Sequence, residues 1–232
     1  MKTCYSNATV MWNEAEIIRR ENLIREIPLV LLNAWTELNP AVRMERCETP
    51  ILTPAEKLQG HIETGFDLIG PCGTRGYLRP ETTAGTYEAM AIRFEDATLK
   101  KRLPFCLWQV GCSFRDEKNA DTMRASKLRL VQFYQIEFQL FASAGSKAPY
   151  LETALAALVK HYGGEVVNAD ELPHYSEKTL DWHLDELEVA GCSIRKDWPH
   201  GMVFEVAIGL DRLVALQLAR MANKQMSDDD NS

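Results

Sequence analysis

The chain has 232 residues, 46% of them hydrophobic and 25% charged, enough to bury a substantial core in one domain or in two small ones. Its formal net charge of −7 argues against a protein whose main task is to grip a nucleic-acid backbone, unless its Lys and Arg are gathered locally. No apolar run reaches the roughly 18 residues of a membrane helix, Met1 to Ser6 lack the apolar stretch of a signal peptide, and the six cysteines show no CxxC pair or zinc spacing, so reduced core thiols in a cytoplasmic, membrane-free protein are expected.

Trp12 to Glu26 is helix-prone, with apolar residues at 12, 17, 18, 23, 24 and 27. Pro28 suits the first turn of a second helix, Leu29 to Leu38, ended by Asn39-Pro40. Val42 to Glu48 reads as a short strand leading into Thr49-Pro50, and residues 57–71 as loop with a short strand. In Gly76-Tyr-Leu-Arg-Pro-Glu-Thr-Thr-Ala-Gly85, Pro80 and Glu81 suit a helix first turn, where a carboxylate meets the positive end of the dipole.

Phe105 to Phe141 reads as a long β-hairpin. Alternation puts Leu128, Leu130, Gln132, Tyr134, Ile136, Phe138 and Leu140 on a core face of its second half, with Arg129, Phe133 and Glu137 in a row opposite. In the first half Cys106, Trp108, Val110, Cys112 and Phe114 form the apolar face, and Gln109, Ser113 and Arg115 the polar one. A polar loop, Asp116 to Lys127, joins them and carries Glu117 and Arg124. Guanidinium forks match phosphate oxygens and an aromatic face accepts a purine, so the platform suits a polyanionic, partly planar ligand. On pattern alone, an amphipathic hairpin with one solvated face fits equally well.

Tyr150 to Tyr162 is an amphipathic helix closed by Gly163-Gly164, and Glu165 to Asn168 a strand. Pro173 to His183 carries no firm pattern. Leu184 to Asp197 contains Glu188-Val-Ala-Gly-Cys-Ser-Ile-Arg195. From Phe204 to Ile208 the chain alternates again, Phe204, Val206 and Ile208 toward the core and Glu205 and Ala207 away from it. Gly209-Leu-Asp-Arg212 opens a helix from Leu213 to Met221. The chain is read as one domain, residues 1–224, with a disordered acidic tail over 225–232.

Phe114-Arg115-Asp116-Glu117 together with Arg129 and Phe133 resembles motif 2 of class II aminoacyl-tRNA synthetases, and is most similar to the eukaryotic-type glycyl-tRNA synthetase. That resemblance implies ATP binding: Arg115 on the α-phosphate, Glu117 on the adenine amino group, Arg129 on the triphosphate and Phe133 stacked on adenine. Gly76 to Gly85 is similar to the family's Gly-Tyr-Leu-Arg-Pro-Glu-Thr-Ala-Gln-Gly, which makes Glu81 a ligand of the substrate ammonium. The helix, strand and proline ending at Pro50 resemble motif 1, the family's dimer interface. Glu188 to Arg195 is similar to Glu-x-x-Gly-x-x-x-Arg, whose Arg orients the bound amino acid. Glu205 to Arg212 resembles motif 3, with Arg212 beside the γ-phosphate and Glu205 near magnesium or the substrate amine. Glu81, Glu137 and Glu205 would then converge on one cavity, an arrangement that needs a cation and implies a small amino acid, glycine before alanine or serine.

The likeness covers about residues 22 to 220. It implies an α+β fold with an antiparallel β-sheet flanked by helices, ATP and Mg²⁺ as cofactors, a homodimer, and amino-acid adenylation with Arg115 and Arg212 as the catalytic groups. Two departures stand out. Ala207 replaces a serine whose hydroxyl would contact the amino acid, and the family's insertion after Gly60-His61 is missing, with twenty residues left after Arg212. A catalytic core lacking the anticodon domain and tRNA-binding insertions is expected, so the acceptor of the activated amino acid is expected to be a carrier protein, small molecule or nucleobase rather than whole tRNA. The alternatives are a true glycyl-tRNA synthetase core working with a separate tRNA-binding chain, and a non-catalytic accessory protein.

Overall fold

The computed structural model describes residues 4–5, 9–57, 65–70, 73, 75–96, 102–116, 130–170 and 172–229. After a short pair, β1 (Cys4–Tyr5) and β2 (Thr9–Val10), helix α1 runs from Glu14 to Leu38. The main sheet has seven strands: β3 (Arg43–Arg46), β7 (Phe105–Phe114), β8 (Gln132–Ala142), β12 (Met202–Gly209), β11 (Leu187–Arg195), β10 (Ser176–Leu184) and β9 (Glu165–Asn168), in that spatial order. Every neighbouring pair is antiparallel except β3, which runs parallel to β7 at the edge. A separate three-stranded sheet has the order β4 (Leu52–Thr53), β6 (Arg75–Leu78), β5 (Phe66–Ile69). Three helices, α1, α3 (Tyr150–Tyr162) and α4 (Leu210–Asp229), cover one face of the main sheet, burying Ile136, Phe138, Leu140, Phe204, Val206 and Ile208. Helix α2 (Thr83–Phe94) covers the other, packing Met90 and Phe94 against Leu107, Phe141 and Val203. The expected α+β architecture is therefore present.

Helix α1 starts at a capping box: the Asn13 side chain accepts the Glu16 N–H at 2.9 Å, and the Glu16 carboxylate accepts the Asn13 N–H at 2.9 Å. It is one helix, not the two expected, and Pro28 lies inside it. An internal proline costs about 3 kcal/mol. Leu23, Ile27, Leu31 and Trp35, four residues apart and fully buried, return about 1.5–3 kcal/mol each. The buried stripe outweighs the proline.

Two further expectations need correction. Pro80 and Glu81 do not sit in a helix first turn; they precede α2, whose N-cap is Thr82. The odd-numbered face of the hairpin is not solvated: Leu107, Gln109, Gly111 and Ser113 are buried, while Trp108, Val110, Cys112 and Phe114 keep partial exposure. The start of α2 covers that face, and Gly111 is what lets it approach. A Cβ there would lie 2.4 Å from Thr82 Cγ2 and 2.7 Å from Arg79 Nη2. At the other end, α4 continues to Asp229, so the tail expected from residue 225 is helical through that point. β10 falls on the stretch where no element was expected.

Candidate active site

The registers of the antiparallel strands place Gln109, Glu137, Ala207, Gly191 and Asp181 in one transverse row across β7, β8, β12, β11 and β10. The next row holds Leu107, Gln139, Glu205, Ser193 and Thr179. Glu137, Ala207, Gly191, Glu205, Ser193 and Thr179 of these rows floor a cavity of about 280 Å³ that also brings together Glu81, Arg115, Phe133 and Arg212. Arg115 stands near the aromatic ring, Arg212 lies against Glu188, and Glu137 and Glu205 bond the residues at the start of α2.

Glu137 is 2% exposed and holds the N-terminus of α2. Its oxygens accept the Thr82 N–H at 3.2–3.3 Å, the Thr82 hydroxyl, the Gln135 amide and the Gln139 amide at 3.1 Å. The helix-capping carboxylate is thus Glu137, in place of Glu81. Glu205 accepts from the Thr83 hydroxyl at 2.9 Å, and both of its oxygens accept from Arg195 Nη1 at 3.1 Å. Burial pushes both carboxyls above their ordinary range. Glu137 is raised further by Glu205 and Glu81; Arg195 pulls Glu205 back while Glu81 raises it.

Arg195 is 1% exposed, which rules out a surface role. Arg115 donates from Nε to the Pro80 carbonyl at 3.0 Å, and its guanidinium lies 5.3 Å from the centre of the Phe133 ring. Arg212, in the first turn of α4, donates to the Glu188 carbonyl at 2.9 Å and faces the Glu188 carboxylate at 3.8 Å. Its neighbour Asp211 accepts the Tyr134 N–H at 2.9 Å, and burial pushes its carboxyl up to about 7.

No family model matches the chain. Glycine–tRNA ligases of Mesoplasma florum and Deinococcus radiodurans are 28% and 30% identical to it over 153 and 151 residues, which is 60% and 57% of this chain but 32% and 29% of theirs. The chain thus spans about a third of the length of these curated relatives. Among solved structures, Giardia lamblia prolyl-tRNA synthetase in complex with prolyl-adenylate superposes with a TM-score of 0.69 at 14% identity, over 90% of this chain and 48% of that one. Cytoplasmic serine–tRNA ligase of Naegleria fowleri in complex with AMP gives 0.67 at 14% identity, over 90% and 56%. The chain has the fold of a class II aminoacyl-tRNA synthetase catalytic core. Its sequence relatives are glycine–tRNA ligases.

In this chain, Glu117 and Arg129 fall outside the described residues, as does the stretch around Gly60-His61. The other expected site residues line the cavity, apart from Arg195, which touches it through Glu205. Glu205 is not placed as a metal ligand should be, because Arg195, Thr83 and Gln139 already occupy its oxygens. Among the described residues no group of three or more His, Cys, Asp or Glu has a metal-holding arrangement. Glu188 at the cavity wall and Asp181, whose carboxyl is raised by burial and by Glu188, form a pair of hard oxygen donors whose repulsion a divalent cation would relieve. Tyr175, Thr83, Gln139 and Asp211 belong to the site without any sequence signal beyond their neighbours. Of these, Thr83 and Asp211 lay inside recognised motifs.

Proposed function

We propose that the protein activates a small amino acid, glycine first, by forming an aminoacyl-adenylate from ATP. The observation that carries this reading is the polarity of one cavity: Arg115, stacked near the Phe133 ring, and Arg212 line it together with Glu81, Glu137 and Glu205, the last two bonded to the start of α2. Phosphates and a purine suit the first group, and an ammonium suits the second. Between them an amino-acid carboxylate oxygen would attack the α-phosphorus as the bond to the β-phosphate oxygen breaks and pyrophosphate leaves. No protein nucleophile is required. Arg115 steadies the α-phosphate, Arg212 the departing end, and the carboxylates fix the amine so that the attacking oxygen is aligned. Mg²⁺, which Glu188 at the cavity wall would help to hold, would neutralise the triphosphate.

The acceptor and the assembly belong to the same proposal. An acidic chain has little long-range attraction for an RNA backbone, which favours a carrier-protein thiol, a small amine or a nucleobase over whole tRNA. The cytoplasm is the expected compartment, and a two-fold dimer through α1 and β3 the expected assembly. The test is ATP–pyrophosphate exchange with each of the twenty amino acids, followed by incubation with labelled amino acid, total tRNA and host lysate. Folded protein that exchanges with none of them refutes the activation reading. Efficient charging of a single tRNA by this chain alone refutes the proposed acceptor.

A further inference from the structure

Arg195 stands at the end of β11 with most of its donors already committed. Nε and Nη2 form a fork on Asp197, at 3.2 and 2.8 Å, while Nη1 meets both oxygens of Glu205 at 3.1 Å. One flat side of the guanidinium lies 3.9 Å from the centre of the Tyr175 ring, and Tyr87 lies 5.5 Å away. The Tyr87 hydroxyl donates to Asp197 Oδ1 at 2.9 Å, and burial drives that phenol far up, so it stays a donor. Four of the five N–H groups a guanidinium carries therefore face protein carboxylates. A substrate carboxylate would have to compete for this group with two protein carboxylates already in place.

We propose that Arg195 is an internal counter-ion, and that Asp197 and Tyr87 are positioning residues which aim it at Glu205 and thereby set how tightly the site holds an amine. This rests on reading Glu205 as part of an ammonium site. Buried carboxylates need a partner. Here the partner is itself gripped from its far edge and stacked on an aromatic ring, so the Glu205 oxygens are fixed before any ligand arrives. Asp197 and Tyr87 both line a second cavity, of about 220 Å³, that shares Glu81 with the first, so they can be altered without touching the cavity's phosphate-facing end.

The two roles for Arg195 separate with a ligand that has the amine but no carboxylate charge. Calorimetry should compare glycine and glycinamide binding to the wild type, Asp197→Asn and Tyr87→Phe, with ATP binding as the control. Asp197→Asn is expected to weaken both ligands equally, about tenfold, and Tyr87→Phe both by roughly twofold to fivefold, since each loses about one hydrogen bond. ATP affinity should stay within about twofold, because a positioning loss of one contact is local. A variant that loses glycine but keeps glycinamide shows Arg195 serving the substrate carboxylate and overturns the proposal. So does unchanged binding of both, or an equal loss of ATP affinity, which marks a general structural role. A wild type that binds neither amine refutes the ammonium site itself, and the proposal falls with it.

Discussion

Asp211 is a buried acid whose two oxygens are treated unequally, and that makes its effect on stability calculable. Oδ2 accepts the Tyr134 N–H at 2.9 Å, while Oδ1 is buried with no hydrogen-bond partner among the described residues. Burial dominates over the Tyr134 bond and the nearby Arg20 and Arg212, and the carboxyl rises from its ordinary 3.8 to about 7. At about 1.36 kcal/mol per pH unit, that gap corresponds to about 4 kcal/mol of preference for the protonated acid in the folded state. The folded protein then binds more protons than the unfolded chain between about pH 4 and pH 7, so stability falls as pH rises through that window. Asp211→Asn keeps an acceptor for Tyr134 and places a neutral amide where the proton would sit. It is expected to match the wild type near pH 4 and to exceed it by about 2–4 kcal/mol at pH 8. Urea unfolding followed by circular dichroism at half-unit pH steps measures the difference directly. A gap between the two proteins that does not change with pH refutes the reasoning.

Arg115→Ala should lower pyrophosphate exchange about 10²-fold or more while moving the unfolding free energy by only about 1 kcal/mol, the worth of its bond to Pro80; a protein that melts far earlier would make Arg115 structural. Gly111→Ala pushes a methyl into Thr82 and Arg79, and should destabilise the fold by about 1–3 kcal/mol and reduce exchange with it; unchanged stability would mean that α2 can retreat freely. Ala207→Ser returns a hydroxyl to the row beside Glu137 and should lower the glycine KM by roughly 5-fold or more if that hydroxyl reaches the amino acid; an unchanged KM would show that it does not. The outer side of α1 leaves Ile18 54% and Leu29 60% exposed. Sedimentation at micromolar concentration should find a dimer that Ile18→Asp with Leu29→Asp dissociates, and a monomeric wild type would refute that interface.

The parts of the fold that alternation could reveal were legible: Phe204, Val206 and Ile208 face the core, as do Ile136, Phe138 and Leu140. Alternation says which residues share a face, but it cannot say what will cover that face. That is why a solvated polar side of the hairpin fitted the pattern as well as a ligand platform did, when α2 buries it by way of a glycine. Pro28 misled for a related reason, since local propensity favours a break while tertiary burial of Leu23, Ile27, Leu31 and Trp35 overrides it. The motif residues Glu81, Arg115, Phe133, Glu137, Glu205 and Arg212 were found because they recur in a known order along the chain. Asp197, Tyr87 and Gln139 were not, because their importance comes from contacts across β8, β11, β12 and α2 that no local spacing records.

Glu137 has two clients. The same carboxylate that faces the cavity also terminates α2, accepting from Thr82 both N–H and hydroxyl. A cation arriving at the cavity must draw on oxygens that the helix is using, so the helix registers its arrival mechanically. α2 also carries Thr83, bonded to Glu205, and, a turn later, Tyr87, bonded to Asp197. Three side chains at or near the start of this helix therefore end on three acids, two of which, Glu137 and Glu205, line the cavity. Occupancy of a site a few ångströms across is converted into the seating of an entire helix, and the amide exchange rates from Thr83 to Phe94 become a gauge of whether the site is full.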